Sequence, residues 1–288
     1  MNRTISILTL TTFMLACGGD RTSRQVIQNK GSDTLVNVAQ AWAEAYGAVN
    51  PALAVAVSGG GSGTGISSMI NGTVDIANSS RKMRDSEIEA AQAQGNDPIE
   101  FVVGVDALAI FLHPDNPINE FTLEQLAAIY AEGGAVESWS DMGVTVPGCS
   151  SGEVVRVSRQ NNSGTYAYFQ EAVLGEAEFK LGSRDMHGSK DVVDLVENTP
   201  CAIGYSGLAY ATDHVKMPCV ISATDACVAP SVDTAIDGSY PISRPLFMYT
   251  AGQPVGAVKE YMDWIMSDVG QCIVLEKGYA PVKPVTCA

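Results

Sequence analysis

Positive charge is scarce in this chain. Lysine and arginine together number 17 against 32 aspartates and glutamates, a formal net charge of −15 over 288 residues. The basic residues form no extended run, which excludes nucleic acid as a partner, since the phosphate backbone is bound through clustered Lys and Arg. Histidine occurs only at His113, His187 and His214, well separated, and no Cys-x-x-Cys pair is present. The ligand spacing of a zinc site or a phosphoryl-transfer metal cluster is therefore missing, and no metal or other cofactor is expected. Around Ser62 and Ser206 the Gly-x-Ser-x-Gly pattern of a nucleophile elbow fails at its last position, which is Thr64 in one case and Leu208 in the other. With no Ser/His/Asp order supported by spacing either, the chain is not expected to be an enzyme, and a secreted hydrolase acting on phosphate esters is the weaker alternative. Hydrophobic residues make up 46% of the chain and charged residues 17%, which fits a globular protein with a large core.

A long apolar run is also lacking. The apolar stretch at 5–15 follows Asn2 and Arg3 and is too short to span a bilayer as a helix, so residues 1–16 read as a secretory signal. The stretch ends in Met14-Leu15-Ala16-Cys17. Leu-Ala-Cys resembles the bacterial lipobox, with Met14 and Leu15 departing slightly from it. The resemblance implies that Cys17 is acylated and becomes the mature N-terminus, with 17–24 as a polar tether; a plain signal peptide cut nearby is the alternative. The expected location is outside the cytoplasm, anchored by lipid to a membrane facing the periplasm or cell exterior. Loss of Arg3 would take the formal charge from −15 to −16. Six further cysteines remain, at 149, 201, 219, 227, 272 and 287. An even number in an exported protein favours disulfides, and loop proximity nominates Cys149–Cys201, Cys219–Cys227 and Cys272–Cys287.

Strand-like runs alternate with helical patterns. Apolar residues at 35, 38, 39, 42, 46 and 49 have helical spacing, and Pro51 ends that helix. Residues 52–57 read as a strand, with a short helix near 66–71, a strand at 74–77 and a helix at 85–94. Such alternation predicts an α/β fold with mostly parallel sheets. Two nearly continuous apolar segments, 101–112 and 240–250, are predicted to cross between two lobes as a two-strand hinge.

One pattern recurs. Gly31-Ser32-Asp33-Thr34, Ser62-Gly63-Thr64-Gly65 and Ser163-Gly164-Thr165 each precede or open a predicted helix, the last with Arg159 four residues ahead. Ser and Thr are ordinary helix caps, so each motif alone carries little. Together they offer three sets of hydroxyls and free backbone N–H groups to an anion, and an arginine fork matches two oxygens of a tetrahedral one.

These segments, with Gly59-Gly60-Gly61-Ser62-Gly63-Thr64-Gly65 and Asp75-Ile76-Ala77-Asn78-Ser79-Ser80-Arg81, resemble the substrate-binding protein of the bacterial ABC phosphate uptake system, in order and spacing. The likeness runs from about Val26 to the C-terminus. It implies a two-lobed periplasmic-binding-protein fold of type II, α/β with a central cleft and two-strand hinge, lobe one being 25–104 with 240–288 and lobe two 105–239. It implies that a monomer captures inorganic phosphate by hinge closure and delivers it to an ABC permease. Thr34 and the Leu35 N–H would contact the anion from lobe one with Ser62, and Ser32 is a further candidate. Arg159, Ser163, Gly164 through its backbone and Thr165 would close from lobe two. The resemblance departs at Ser80, where some branches place the aspartate that accepts phosphate's proton and repels sulfate. Asp106 is the replacement candidate, with Asp33 behind it. Sulfate, molybdate or an organophosphate therefore stay open as ligands, as does an adhesion or sensing protein reusing the fold.

Overall fold

The computed structural model describes residues 24–287; the leader, Cys17 and all of the tether but Arg24 lie outside them. The chain opens with β1 (Gln25–Gly31), a single 3₁₀ turn over Asp33–Leu35 and α1 (Val36–Val49). Val38, Ala39, Trp42 and Tyr46 are the buried face of α1, the 3–4 spacing that puts side chains on one side of a helix. Pro51 cannot continue it, and the Asn50 N–H closes the last turn on Tyr46 O. Next come β2 (Leu53–Ser58), α2 (Ser62–Ile70), β3 (Ile76–Ser79) and α3 (Asp85–Ala93). The chain then runs through β4 (Ile99–Leu112), β5 (Glu120–Phe121), α4 (Leu123–Tyr130), β6 (Val155–Arg159), α5 (Gly164–Leu174), β7 (Arg184–Met186), α6 (Ser189–Glu197) and β8 (Ala202–Gly207). It finishes with β9 (Cys219–Ile221), β10 (Cys227–Val228), α7 (Val232–Ile236), β11 (Ser243–Thr250), α8 (Gly256–Ile265) and α9 (Asp268–Glu276).

Eight strands form one sheet in the order β2-β1-β3-β11-β4-β8-β6-β7. The outer strands pair in parallel on each side, β2-β1-β3 in one half and β8-β6-β7 in the other. The join is β4, a single strand of 14 residues whose first part pairs with β11 and whose last part, from Leu108, pairs with β8. Each half has its own core, one built on Trp42, Tyr261 and Ile76, the other on Trp139, Phe169 and Tyr205. The chain crosses back at 240–250: Tyr240 and Ile242 pack in the second core, Leu246 and Met248 in the first. Both apolar segments singled out in the sequence thus pass between the lobes side by side. The crossing reads as apolar because most of each strand is buried there, on β4 from Val103 onward apart from Val105. Within the apolar segments 101–112 and 240–250 one charge stands in each, at the same level, Asp106 opposite Arg244.

Three disulfides are present among the described residues, in the pairing that chain proximity nominated: Cys149–Cys201, Cys219–Cys227 and Cys272–Cys287, with Cα separations of 4.9, 5.5 and 5.6 Å. The first closes the longest loop, 52 residues, and on chain-entropy grounds contributes about 4 kcal/mol. A Cys149→Ser/Cys201→Ser variant should lose most of that in a denaturant titration, and a loss below about 1 kcal/mol would count against the entropic account. No helix among the described residues is long and apolar enough to cross a membrane.

Candidate functional site

The site lies where three loops meet between the lobes. From lobe one, Gly31 ends β1 and Ser32 leads into the 3₁₀ turn. At the start of α2 the glycine run is needed for shape: Gly61 has φ +89°, and a Cβ there would sit 2.6 Å from Asn162 O on the other lobe. That turn points Ser62 inward, and β3 delivers Ser80. The three serines form a hydroxyl chain: Ser32 Oγ donates to Ser80 Oγ at 2.9 Å, Ser62 Oγ lies 3.4 Å from Ser80 Oγ, and the Ser80 N–H donates to Ser62 Oγ at 3.0 Å. From lobe two, Gly164 opens α5 against this chain, where a Cβ would fall 2.6 Å from Ser80 Oγ and closer still to Ser62 Oγ. Thr34 and Thr165 meet across the cleft with their Oγ1 atoms 3.0 Å apart.

These groups are sealed from solvent. Ser32, Thr34, Leu35, Ser62, Ser80, Asp106, Arg159, Ser163 and Thr165 are each at most 3% exposed. The lobes are shut by direct contacts: the Gly63 N–H donates to Asn162 O at 3.0 Å, Asn162 Nδ2 donates to Gly60 O at 3.0 Å, and the Tyr210 hydroxyl donates to Asp33 O at 2.6 Å. Tyr279 fixes the first loop from behind, its hydroxyl donating to Thr34 O and Asn37 Oδ1.

Two arginines are buried here. Arg159, at the end of β6, donates from Nη1 to Ser189 Oγ at 2.9 Å and from Nη2 to His187 O at 2.9 Å. Nη2 also pairs with Asp33 Oδ2 at 3.3 Å across the cleft, and Nε finds no hydrogen-bond partner among the described residues. Burial pushes the Arg159 guanidinium below its usual range, with Asp33 opposing. Arg244 pairs with Asp106 Oδ2 through Nη2 at 3.0 Å and Nε at 3.3 Å. The same Nη2 donates to Thr165 Oγ1 at 2.9 Å and to Thr34 Oγ1 at 3.3 Å, so this guanidinium touches both lobes. The Tyr168 ring lies 5.4 Å from its centre. Burial holds the Asp106 carboxyl above the usual carboxylate range, with Arg244 pulling the other way. Asp106 Oδ1 makes no hydrogen bond of normal geometry among the described residues, although the nearby Leu208 N–H also favours the ionised carboxyl. The carboxylate fits only because Gly207 faces it, where a Cβ would come within 2.9 Å of Oδ1.

The structure therefore brings Ser32, Thr34, Ser62, Ser80, Gly164 and Thr165 together, with Arg159 and Asp106 beside them. The Leu35 N–H donates to Ser32 O at 3.1 Å, closing the 3₁₀ turn. Ser163 serves as helix cap, its Oγ accepting from the Thr165 N–H at 3.1 Å. Asp33 is committed to Arg159 and to the Gly60 N–H, at 2.9 Å from Oδ1. Asn162, Tyr210 and Arg244 escaped the sequence reading; only Arg244 had a visible signal, as the one charge inside an apolar run. A Gly-x-Ser-x-Gly match does occur around Ser150, but it forms an exposed turn beside the Cys149 disulfide rather than a strand-to-helix elbow. Glu120, Cys219 and Cys227 lie close enough to hold a metal, but their disulfide removes both thiolate ligands.

A two-lobed fold with a buried polar site at the junction defines a class, and residues 18–269 match its family model, described as the PBP superfamily domain. The chain belongs to that family. Among its relatives is the phosphate-binding protein PstS of Pseudomonas aeruginosa, 34% identical over 268 residues that cover 89% of this chain and 83% of the relative. Protein SphX of Synechococcus elongatus is 30% identical, covering 90% and 78%. A substrate-binding protein of Clostridium perfringens, solved with bound phosphate, superposes with a TM-score of 0.79 at 28% identity, over 90% of this chain and all of the other.

Proposed function

We propose that this protein is an extracytoplasmic receptor that captures inorganic phosphate by closing its lobes on it and delivers the anion to an ABC permease. The observation that carries the reading is the convergence of Ser32, Ser62, Ser80, Thr34, Thr165 and Arg244 at one sealed point between the lobes, with Arg159 buried nearby and paired with Asp33 of the first loop. The relatives named for phosphate binding, and the neighbour with phosphate bound, agree with it. Hydroxyls, backbone N–H groups and guanidinium donors can satisfy a desolvated tetrahedral anion, and in a dry site each such bond is stronger than in water. An anion shifts the hinge toward closure only by what it gains in the closed form, and here that gain comes from contacts made by both lobes at once. Binding and transfer need no chemical step, so no residue is assigned a catalytic role. Cys17 would tether the protein to the membrane as a lipoprotein, and the protein would act as a monomer.

The rival ligands are tetrahedral anions without a proton, such as sulfate or molybdate, because Ser80 supplies a hydroxyl where a carboxylate would discriminate against them. Titration calorimetry with phosphate and with sulfate separates the readings. Phosphate should bind at one site with a Kd of about 1 μM or tighter, near −8 kcal/mol, and sulfate at least 100-fold more weakly. Absence of phosphate binding at millimolar concentration would overturn the reading.

A further inference from the structure

We propose that Arg244 is a second cationic ligand of the anion, presented by the hinge, and that the Arg244–Asp106 pair is what distinguishes a protonated tetrahedral oxyanion from one with no proton. This rests on the phosphate reading above and extends it to residues that neither lobe's helix starts supply. Three observations support it. Arg244 is 1% exposed and its Nη2 already reaches Thr34 Oγ1 and Thr165 Oγ1, the hydroxyls that face each other across the cleft. Its Nη1 is buried and makes no hydrogen bond of normal geometry among the described residues, and the same holds for Asp106 Oδ1. A donor and an acceptor thus remain unspent on one ion pair, although buried polar atoms are nearly always paired.

With Arg244 at the site, Nη1 donates to an oxygen of the anion while Asp106 Oδ1 accepts the hydrogen of a P–OH group. Sulfate offers that acceptor no hydrogen, so its oxygen would face a carboxylate. The rejection comes from one unpaired lone pair aimed at the wrong ligand, which is how a buried site excludes a near-isostere. Because Arg244 and Asp106 face each other on β11 and β4, the discriminating pair stays in place as the lobes open.

The test uses inorganic phosphate and sulfate as probes in one calorimetric series. A double Asp106→Asn/Arg244→Gln variant removes both charges together and strands neither. It should weaken phosphate binding at least 100-fold; a Kd within threefold of the parent's would overturn the proposal. Asp106→Asn alone keeps a hydrogen-bond partner for Arg244 and answers the question even if the double variant fails to fold. It should lower the preference for phosphate over sulfate at least tenfold. An unchanged preference, whatever the change in either affinity, would mean that the pair is structural. If the parent itself bound no phosphate, the functional reading would fail; a parent that binds beside a double variant that binds equally defeats this proposal alone.

Discussion

Gly164→Ala should remove tight phosphate binding while leaving the fold as stable as before. Gly164 is the first residue of α5, and its backbone conformation lies outside the positive-φ region, so alanine fits the helix without strain. Within lobe two the change should be neutral or stabilising by about 0.5–1 kcal/mol, through the narrower unfolded ensemble. Across the cleft the same methyl group would land 2.6 Å from Ser80 Oγ and nearer to Ser62 Oγ, atoms held in place by the serine chain and the Ser80 N–H. The lobes could then approach but not shut. An anion bound to one lobe keeps part of its hydration and loses the donors of the other, and apparent affinity falls with the fraction of molecules able to close. A loss of at least 100-fold, about 2.8 kcal/mol, is expected by calorimetry, with an unfolding midpoint equal to or above the parent's. A Kd within threefold of the parent's would show that closure at this contact does not govern binding. Few substitutions separate stability from closure this cleanly, because most buried positions serve both.

The architecture was legible in the sequence because it follows from local patterns. Helical spacing and Pro51 located the first helix, whose regular part runs Val36–Val49 behind a 3₁₀ turn. The crossings were visible as apolar runs too long for ordinary strands. Boundaries were less accurate where long-range pairing sets them. The second helix, predicted near 66–71, spans Ser62–Ile70, since Gly61 turns the chain and buries Ser62 at the helix start. The strand predicted at 74–77 is Ile76–Ser79, held by the pairing of Gly31 with Asn78. Within the site, the hydroxyl loops were readable because glycine and Ser/Thr mark helix starts. The cross-lobe contacts were not. Arg244 and Asp106 are 138 residues apart, Asn162 and Gly60 102 apart, and Tyr210 and Asp33 177 apart. No local periodicity encodes such meetings; the first arises when the hinge strands align, and the other two only when the lobes shut.

Arg159→Ala should cost about 3 kcal/mol of phosphate affinity, roughly 150-fold, since a buried anion would lose a charge-assisted donor. The geometry gives this arginine two tasks that the measurement must separate. Its Nη groups hold Ser189, His187 O and, across the cleft, Asp33, whereas Nε is buried without a partner among the described residues. As a latch to Asp33 it favours closure for any ligand or none. As an anion partner it favours closure only when the anion is present. Asp33→Asn removes the latch charge but leaves the guanidinium in place and one acceptor for it. If Arg159 binds the anion, Asp33→Asn should cost far less than Arg159→Ala, and Arg159→Lys should recover part of the loss by restoring charge without the planar fork. Equal losses in Asp33→Asn and Arg159→Ala would reduce Arg159 to a closure latch. An unchanged Kd in Arg159→Ala would remove it from the site altogether. The charge on the anion would then be met from the hinge alone, and the three helix starts would be left to supply hydroxyl and N–H donors.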